Sequence, residues 1–111
     1  MQFFSSLGLS LAFLAVSVLG DLHPDCACNN DGTSNSRITI DACTVYNDAK
    51  YEWGGSSFDD ASGRCVAAEG AELAGKEWEA ACKQISSKGF ACPDSEGTCY
   101  AKTDDVRGSC A

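Results

Sequence analysis

The chain has 111 residues, with 16 acidic and 8 basic side chains and a formal net charge of −8 at pH 7. A chain of this length forms one small domain with a modest core. The acidic charge excludes nucleic acid and anionic membranes as expected partners, because both repel it.

The first twenty residues, MQFFSSLGLSLAFLAVSVLG, contain no charged side chain and form a short apolar run. Small residues at Val18 and Gly20 match a signal-peptidase site, although the start of the segment lacks Lys or Arg. The run is shorter than the roughly 20 residues of a membrane span, and no basic cluster follows it. We therefore predict a signal peptide at residues 1–20, a secreted extracellular protein with no membrane span, and a single mature domain at residues 21–111.

All of the cysteines follow this segment. An even number of cysteines in a short exported chain predicts four structural disulfides. Cys26 and Cys28 are too close in the chain to pair with each other, and the sequence leaves the other pairings open. An exported protein normally loses free thiols to oxidation, and the sequence has no CxxC pair, so we expect no zinc site, no thioredoxin-type redox site and no cofactor. The cysteines are Cys26, Cys28, Cys43, Cys65, Cys82, Cys92, Cys99 and Cys110.

The first half of the mature chain predicts a loop, a helix and a strand in that order. NNDGTSNS is rich in turn formers and predicts a loop. ITIDACTVYNDA predicts a helix with Thr39 as its N-cap and with Ile40, Cys43 and Asn47 on one face. Its β-branched residues also permit a strand. KYEWGGSSF alternates polar and aromatic residues, which predicts a strand followed by a turn at the double glycine.

The second half predicts a strand, a helix and a hairpin. GRCVAA is a short strand candidate, and LAGKEWEAACKQISSKG carries the clearest helical periodicity. Gly89 suits the end of this helix, and Glu79 and Lys83 are spaced for an i,i+4 ion pair. FAC and TCYAK flank the turn residues PDSEG and predict a hairpin, and Cys110 should hold the polar tail in place. The apolar face of the helix consists of Trp78, Ala81, Cys82 and Ile85. Two helices and about four short strands give an α+β class.

Catalytic groups are scarce. The one histidine, His23, lies near the predicted mature N-terminus, which argues against Ser-His-Asp and Cys-His arrangements in a rigid core. The adjacent carboxylates of Asp59 and Asp60 are typical of a solvated loop rather than of a glycosidase pair. We expect that the protein is not an enzyme.

Two groups of residues are candidate sites. With cleavage after Gly20, the terminus reads Asp21-Leu22-His23, whose amine, two amides and imidazole could bind Cu(II) or Ni(II) in a square plane. An exposed, disordered terminal histidine is the favoured interpretation. The second group is aromatic and forms either part of the core, which is favoured, or an exposed recognition loop. Its members are Tyr51, Trp53 and Phe58.

A resemblance to a known family rests on three motifs across residues 26–101. They are the early Cys-x-Cys, a Thr39-led helix with an inner Cys43, and a Gly-x-x-aromatic-x-x-x-Cys helix. The sequence resembles small cysteine-rich secreted fungal effectors, and among these the killer-toxin-type fold named for virus-encoded toxins of a smut fungus. The resemblance implies a small disulfide-rich α/β sandwich, with an antiparallel sheet of about four strands packed against two helices. A dibasic maturation site typical of toxin precursors is missing.

The resemblance and the composition leave two functional classes. The first is an effector-like protein, a monomer without catalysis, that binds an unknown extracellular protein or glycan during fungal infection, for example in the plant apoplast. The second is a killer-toxin-like or antimicrobial protein that acts on competing microbes. An inhibitor of a secreted hydrolase is a variant of the first class. The acidic charge favours binding over attack on membranes.

Overall fold

The computed structural model describes residues 21–111, and the predicted signal peptide lies outside the described residues. The α+β class is confirmed, because two helices pack against antiparallel strands. Neither helix within the described range is long and apolar enough to cross a membrane. The helices are α1 (Ser36–Asp48) and α2 (Gly75–Lys88), with a 3-10 turn at Thr103–Asp105. The strands are β1 (Leu22–His23), β2 (Asp25–Asn30), β3 (Thr33–Ser34), β4 (Ser56–Asp59), β5 (Arg64–Ala67), β6 (Leu73–Ala74), β7 (Phe90–Ala91), β8 (Thr98–Cys99) and β9 (Val106–Cys110).

Strand β2 is the centre of the main sheet. Cys26 lies between Cys110 of β9 and Cys65 of β5, and Asn29 lies between Arg107 of β9 and Ser34 of β3. Strand β4 extends the sheet beyond β5. The sheet therefore has four longer strands, in the order β9-β2-β5-β4, and the short β3 as a fifth. Strand β5 was predicted, β9 was not, and the predicted hairpin strands β7 and β8 form a separate sheet.

Helix α1 begins earlier than predicted, and Thr39 is not its cap. The N-cap is Asn35, whose side-chain oxygen accepts a hydrogen bond from the backbone N–H of Ile38. Thr39 is fully buried one turn later. Its hydroxyl accepts the backbone N–H of Cys28 at 2.9 Å and donates to the carbonyl of Asn35 at 2.8 Å. A hydroxyl that looks like a cap in the sequence therefore joins the helix to the central strand.

Helix α2 matches its prediction, including its apolar face and its end at Gly89. The predicted ion pair between Glu79 and Lys83 is wrong, because both side chains bind β9 instead. Glu79 accepts the backbone N–H of Gly108 at 2.9 Å. The ammonium of Lys83 donates to the carbonyls of Thr103 at 2.6 Å and of Val106 at 2.8 Å. Two charged residues of α2 thus satisfy backbone groups of β9 and of the 3-10 turn that precedes it.

The structure corrects three predictions about loops and strands and confirms a fourth. The predicted strand at residues 51–53 is a turn, and the strand begins only at Ser56. The predicted NNDGTSNS loop contains instead a tight β2–β3 hairpin, in which Asp31 and Gly32 both have positive φ, as a two-residue turn requires. The predicted tail contains β9, while the predicted β7–β8 hairpin is confirmed.

All eight cysteines are paired, which confirms the disulfide framework. As expected, Cys26 and Cys28 have different partners. Four intramolecular disulfides fit an oxidising, extracellular-type environment. The pairs are Cys26–Cys110, Cys28–Cys82, Cys43–Cys65 and Cys92–Cys99.

Candidate binding surface around helix α1

All three candidate recognition aromatics are half-buried and pack against the core. Tyr51 and Trp53 stack with ring centroids 5.3 Å apart and planes inclined by 10°. The indole N–H of Trp53 donates to the hydroxyl oxygen of Tyr46 at 2.6 Å, and Tyr46 is buried. The side chains of Tyr51 and Trp53 are half-buried. This pair belongs to the packing around Tyr46, in line with the favoured interpretation.

The Tyr46 hydroxyl is the polar centre of this packing. Its oxygen also accepts the backbone N–H of Ala74 at 2.8 Å. Burial raises the pKa of the Tyr46 hydroxyl above its ordinary value of 10.0, and the hydrogen bonds from Ala74 and Trp53 offset only part of this effect. The nearby carboxylate of Glu77 adds to the rise. The hydroxyl is therefore held in its neutral form, which suits a structural role.

The third aromatic, Phe58, also packs against the core, but it lines a groove as well. It is half-buried on β4 and lines a groove between α1 and β4 of about 150 Å³, which we call the α1–β4 groove. Neither Tyr51 nor Trp53 lines this groove. The three aromatics therefore do not form one loop surface. The groove is lined by Ile40, Cys43, Thr44, Asn47, Ser56, Ser57 and Phe58.

A second, larger groove lies on the other side of the exposed face of α1. This α1–α2 groove has a volume of about 410 Å³. Thr44 is exposed and lines both grooves, so they flank one continuous face of α1. The side chain of Arg37 donates to the carbonyl of Pro93 at 2.6 Å and fixes the β7–β8 hairpin beside α1. The α1–α2 groove is lined by Asp41, Thr44, Val45, Ile85, Lys88, Gly89 and Thr98.

Two large hydrophobic side chains are exposed within residues 21–111; one lines the α1–β4 groove, and the other lies next to the α1–α2 groove without lining it. Ile40 is 42% exposed and lines the α1–β4 groove. Tyr100 is 65% exposed, and its ring lies against Gly89 of the α1–α2 groove. A Cβ placed on Gly89 would be 3.1 Å from the Tyr100 ring and 2.5 Å from the Thr98 methyl. The close approach of this ring to the groove therefore depends on glycine.

His23 lies in a strand rather than at a disordered end, so the favoured interpretation of a frayed terminus is wrong. It pairs with Leu73 in the β1–β6 ladder, and its Nδ1 is 3.0 Å from the main-chain oxygen of Ala111. Metal binding by Asp21-Leu22-His23 would use this same Nδ1 and the backbone amides of β1. The copper or nickel site stays a prediction, and binding would require β1 to leave its partner strand.

In comparisons with protein-family models, curated proteins and solved structures, nothing matches this chain. The candidate surface is therefore defined by its geometry alone. Sequence reasoning found Phe58 but missed Tyr100 and the α1–α2 groove. The two helices bring together residues 41–45 and 85–89, and no local pattern indicates that they meet.

Proposed function

We propose that the protein is a secreted, effector-like binding protein that acts without catalysis on a host or environmental macromolecule during fungal infection. Its binding surface is the exposed face of α1 with the two grooves beside it. The observation that carries this proposal is the exposure of Ile40 and Tyr100 at these grooves. Concave surfaces that combine apolar side chains with a few polar groups are typical of recognition sites.

The scaffold supports a binding role because it holds this surface in one conformation. The Cys43–Cys65 disulfide joins the inner side of α1 to β5. Thr39 joins α1 to β2, and Arg37 joins it to the β7–β8 hairpin. A surface that is already ordered loses less conformational entropy on binding, which strengthens affinity.

The resemblance to the killer-toxin-type fold remains part of this proposal. An α+β fold with an antiparallel sheet and two helices is compatible with that family, and so is the disulfide framework. The acidic charge of −8 supports binding of a macromolecule over disruption of anionic membranes.

A capture experiment tests the proposal. The biotinylated mature protein, residues 21–111, is incubated with plant apoplastic fluid, and the captured material is compared with that of two variants. Ile40→Asp should lose the captured partner because it places a charge on the binding face. Thr33→Asp adds the same charge on the exposed β3 and should capture as the parent does.

Two results would contradict the proposal. Equal capture by the parent and by Ile40→Asp would show that the α1 face is not the binding surface. Killing of fungi or bacteria by the pure protein in a growth-inhibition assay, without a captured partner, would favour the antimicrobial function instead.

A further inference from the structure

We propose that the α1–α2 groove binds a neutral carbohydrate, with the exposed ring of Tyr100 as a stacking platform for a sugar ring. The inference rests on the proposed binding function and names the class of ligand for one of its two grooves. It depends on the size of the groove, on the chemistry of its lining and on the position of Tyr100.

The groove has the size of a ligand site. Its volume of about 410 Å³ lies within the range of about 300–1,000 Å³ that is usual for such sites. It is also open to solvent along its length, since Thr44, Lys88 and Thr98 at its rim are exposed. An open groove can hold part of a longer polymer without enclosing its ends.

The lining contains both polar and apolar groups, which complement the hydroxyl and C–H groups of a sugar. The Asp41 carboxylate accepts hydrogen bonds, the Lys88 ammonium donates them, and the hydroxyls of Thr44 and Thr98 do both. Apolar atoms of Val45 and Ile85 lie in the same groove. Sugars present hydroxyl groups at their edges and C–H groups on their faces, so they can satisfy both kinds of lining at once.

Tyr100 supplies the aromatic element of the site. The Cε2 and Cζ atoms of its ring lie 3.1 and 3.5 Å from the position that a Cβ on Gly89 would take, while 65% of the residue remains exposed. Gly89 has φ of +117°, and any larger residue there would push against both Tyr100 and Thr98. The ring is therefore held beside the groove, with an apolar surface available for contact and a hydroxyl that can reach water.

The charges indicate a neutral ligand. Asp41 and Lys88 contribute one charge of each sign to the groove, and they make no ion pair with each other or with another residue in the part of the chain that the structure describes. Both side chains therefore keep their charged groups for a ligand. An anionic polymer would be repelled by the net charge of −8, and an apolar ligand would leave the polar groups of the lining unsatisfied.

The test is a titration of the ¹⁵N-labelled mature protein with cellohexaose, chitohexaose and laminarihexaose. Hexagalacturonate is the anionic comparison. We expect at least one neutral hexasaccharide to shift the amide signals of Thr44, Lys88, Gly89 and Thr98, while hexagalacturonate shifts none of them. The dissociation constant follows from the same titration.

Variants then separate stacking from charge. Tyr100→Ala should weaken binding at least about tenfold, as truncation of an aromatic anchor commonly does, whereas Tyr100→Phe keeps the ring and should stay within about threefold. Lys88→Ala should weaken binding as well. Lys76→Ala removes the same residue type from the other end of α2 and should have no effect. Far-UV spectra confirm that each variant is folded.

The inference is overturned if no neutral hexasaccharide shifts the groove amides, if hexagalacturonate binds equally well, or if Tyr100→Ala binds like the parent. If the parent captures an apoplastic partner that Ile40→Asp does not capture, while no sugar shifts the groove amides, the carbohydrate inference is contradicted but the proposed function is not. If no partner is captured and no sugar shifts the groove amides, both the proposed function and the carbohydrate inference are contradicted.

Discussion

The hydroxyl oxygen of Tyr46 accepts the indole N–H of Trp53, and it also accepts the backbone N–H of Ala74. One phenol on α1 thus serves two donors from separate segments of the chain, 7 and 28 positions after Tyr46. Since Ala74 is only 4% exposed, its N–H has little access to water as an alternative acceptor.

Tyr46→Phe should lower the free energy of unfolding by about 1–3 kcal/mol, because it leaves the Ala74 N–H without an acceptor. Tyr51→Phe removes the same atom from a neighbouring ring that stacks on Trp53, and it should change stability by less than about 0.5 kcal/mol. Urea unfolding followed by tryptophan fluorescence measures both variants. Equal losses in the two would show that the Tyr46 hydroxyl has no special role.

Stability should fall at alkaline pH because of the same hydroxyl. Burial raises the pKa of Tyr46 in the folded state above 10.0, so the unfolded chain releases this proton more readily. The resulting stabilisation is complete below about pH 10 and is lost as pH rises through the folded pKa. Melting temperatures measured from pH 8 to pH 12 should fall more steeply for the parent than for Tyr46→Phe. Parallel curves would contradict this origin.

Thr39→Val should destabilise the protein by about 1–3 kcal/mol, although the two side chains have nearly the same shape. The change removes the acceptor of the Cys28 N–H, and both residues are fully buried. Thr44→Val is the matched control on α1, because the Thr44 hydroxyl is exposed and makes only a 3.4 Å contact with the Ile40 carbonyl. Its expected effect in urea unfolding is less than about 0.5 kcal/mol.

Glu79→Ala should lower stability by about 1–2 kcal/mol and speed hydrogen exchange at the Gly108 amide, which loses its acceptor. Glu79→Gln keeps an oxygen for this amide and removes only the 3.8 Å ion pair with the exposed Arg107, so its effect should stay below about 1 kcal/mol. Exchange followed by NMR distinguishes the two. If Gln is as harmful as Ala, the charge rather than the hydrogen bond matters.

The disulfides should differ in their contributions. Cys28–Cys82 closes a loop across 54 positions in the core, whereas Cys92–Cys99 closes one across 7 positions at the surface. Chain entropy gives about 4 kcal/mol for the longer loop and about 2.5 kcal/mol for the shorter one. Replacing Cys28 and Cys82 together by Ala should therefore lower the urea midpoint more than the same change at Cys92 and Cys99. The reverse order would refute this account.

Sequence periodicity predicted α2 well because its apolar face is set by local spacing and its end by Gly89. The cap of α1 was assigned wrongly because Thr39 has a tertiary partner, the backbone of β2, that local rules do not include. Strand β9 was missed since its sequence, VRGSC, has weak strand propensity and its partner lies about 80 positions earlier. Pairing with β2 stabilises it as a strand.

The candidate site was less predictable than the fold. Residues 51–53 look like a strand because they alternate, but their ring contacts and the hydrogen bond from the Glu72 N–H to the Trp53 carbonyl hold them as a turn. The α1–α2 groove exists only once two helices and a hairpin have met. Gly89 indicated the end of the helix in the sequence, but nothing in the sequence indicated that the Tyr100 ring lies next to it.

The central position of β2 also constrains when the domain can form. This strand is near the beginning of the described chain, yet it pairs along its length with β9, and its two cysteines join Cys82 and Cys110. During synthesis, Cys26 and Cys28 emerge long before either partner does, while Cys43 and Cys65 are already available. A bridge from Cys26 or Cys28 to Cys43 or Cys65 would be non-native and would have to be exchanged later. Maturation should therefore depend on a disulfide isomerase, and the sheet should close only after residues 106–110 have entered the oxidising compartment.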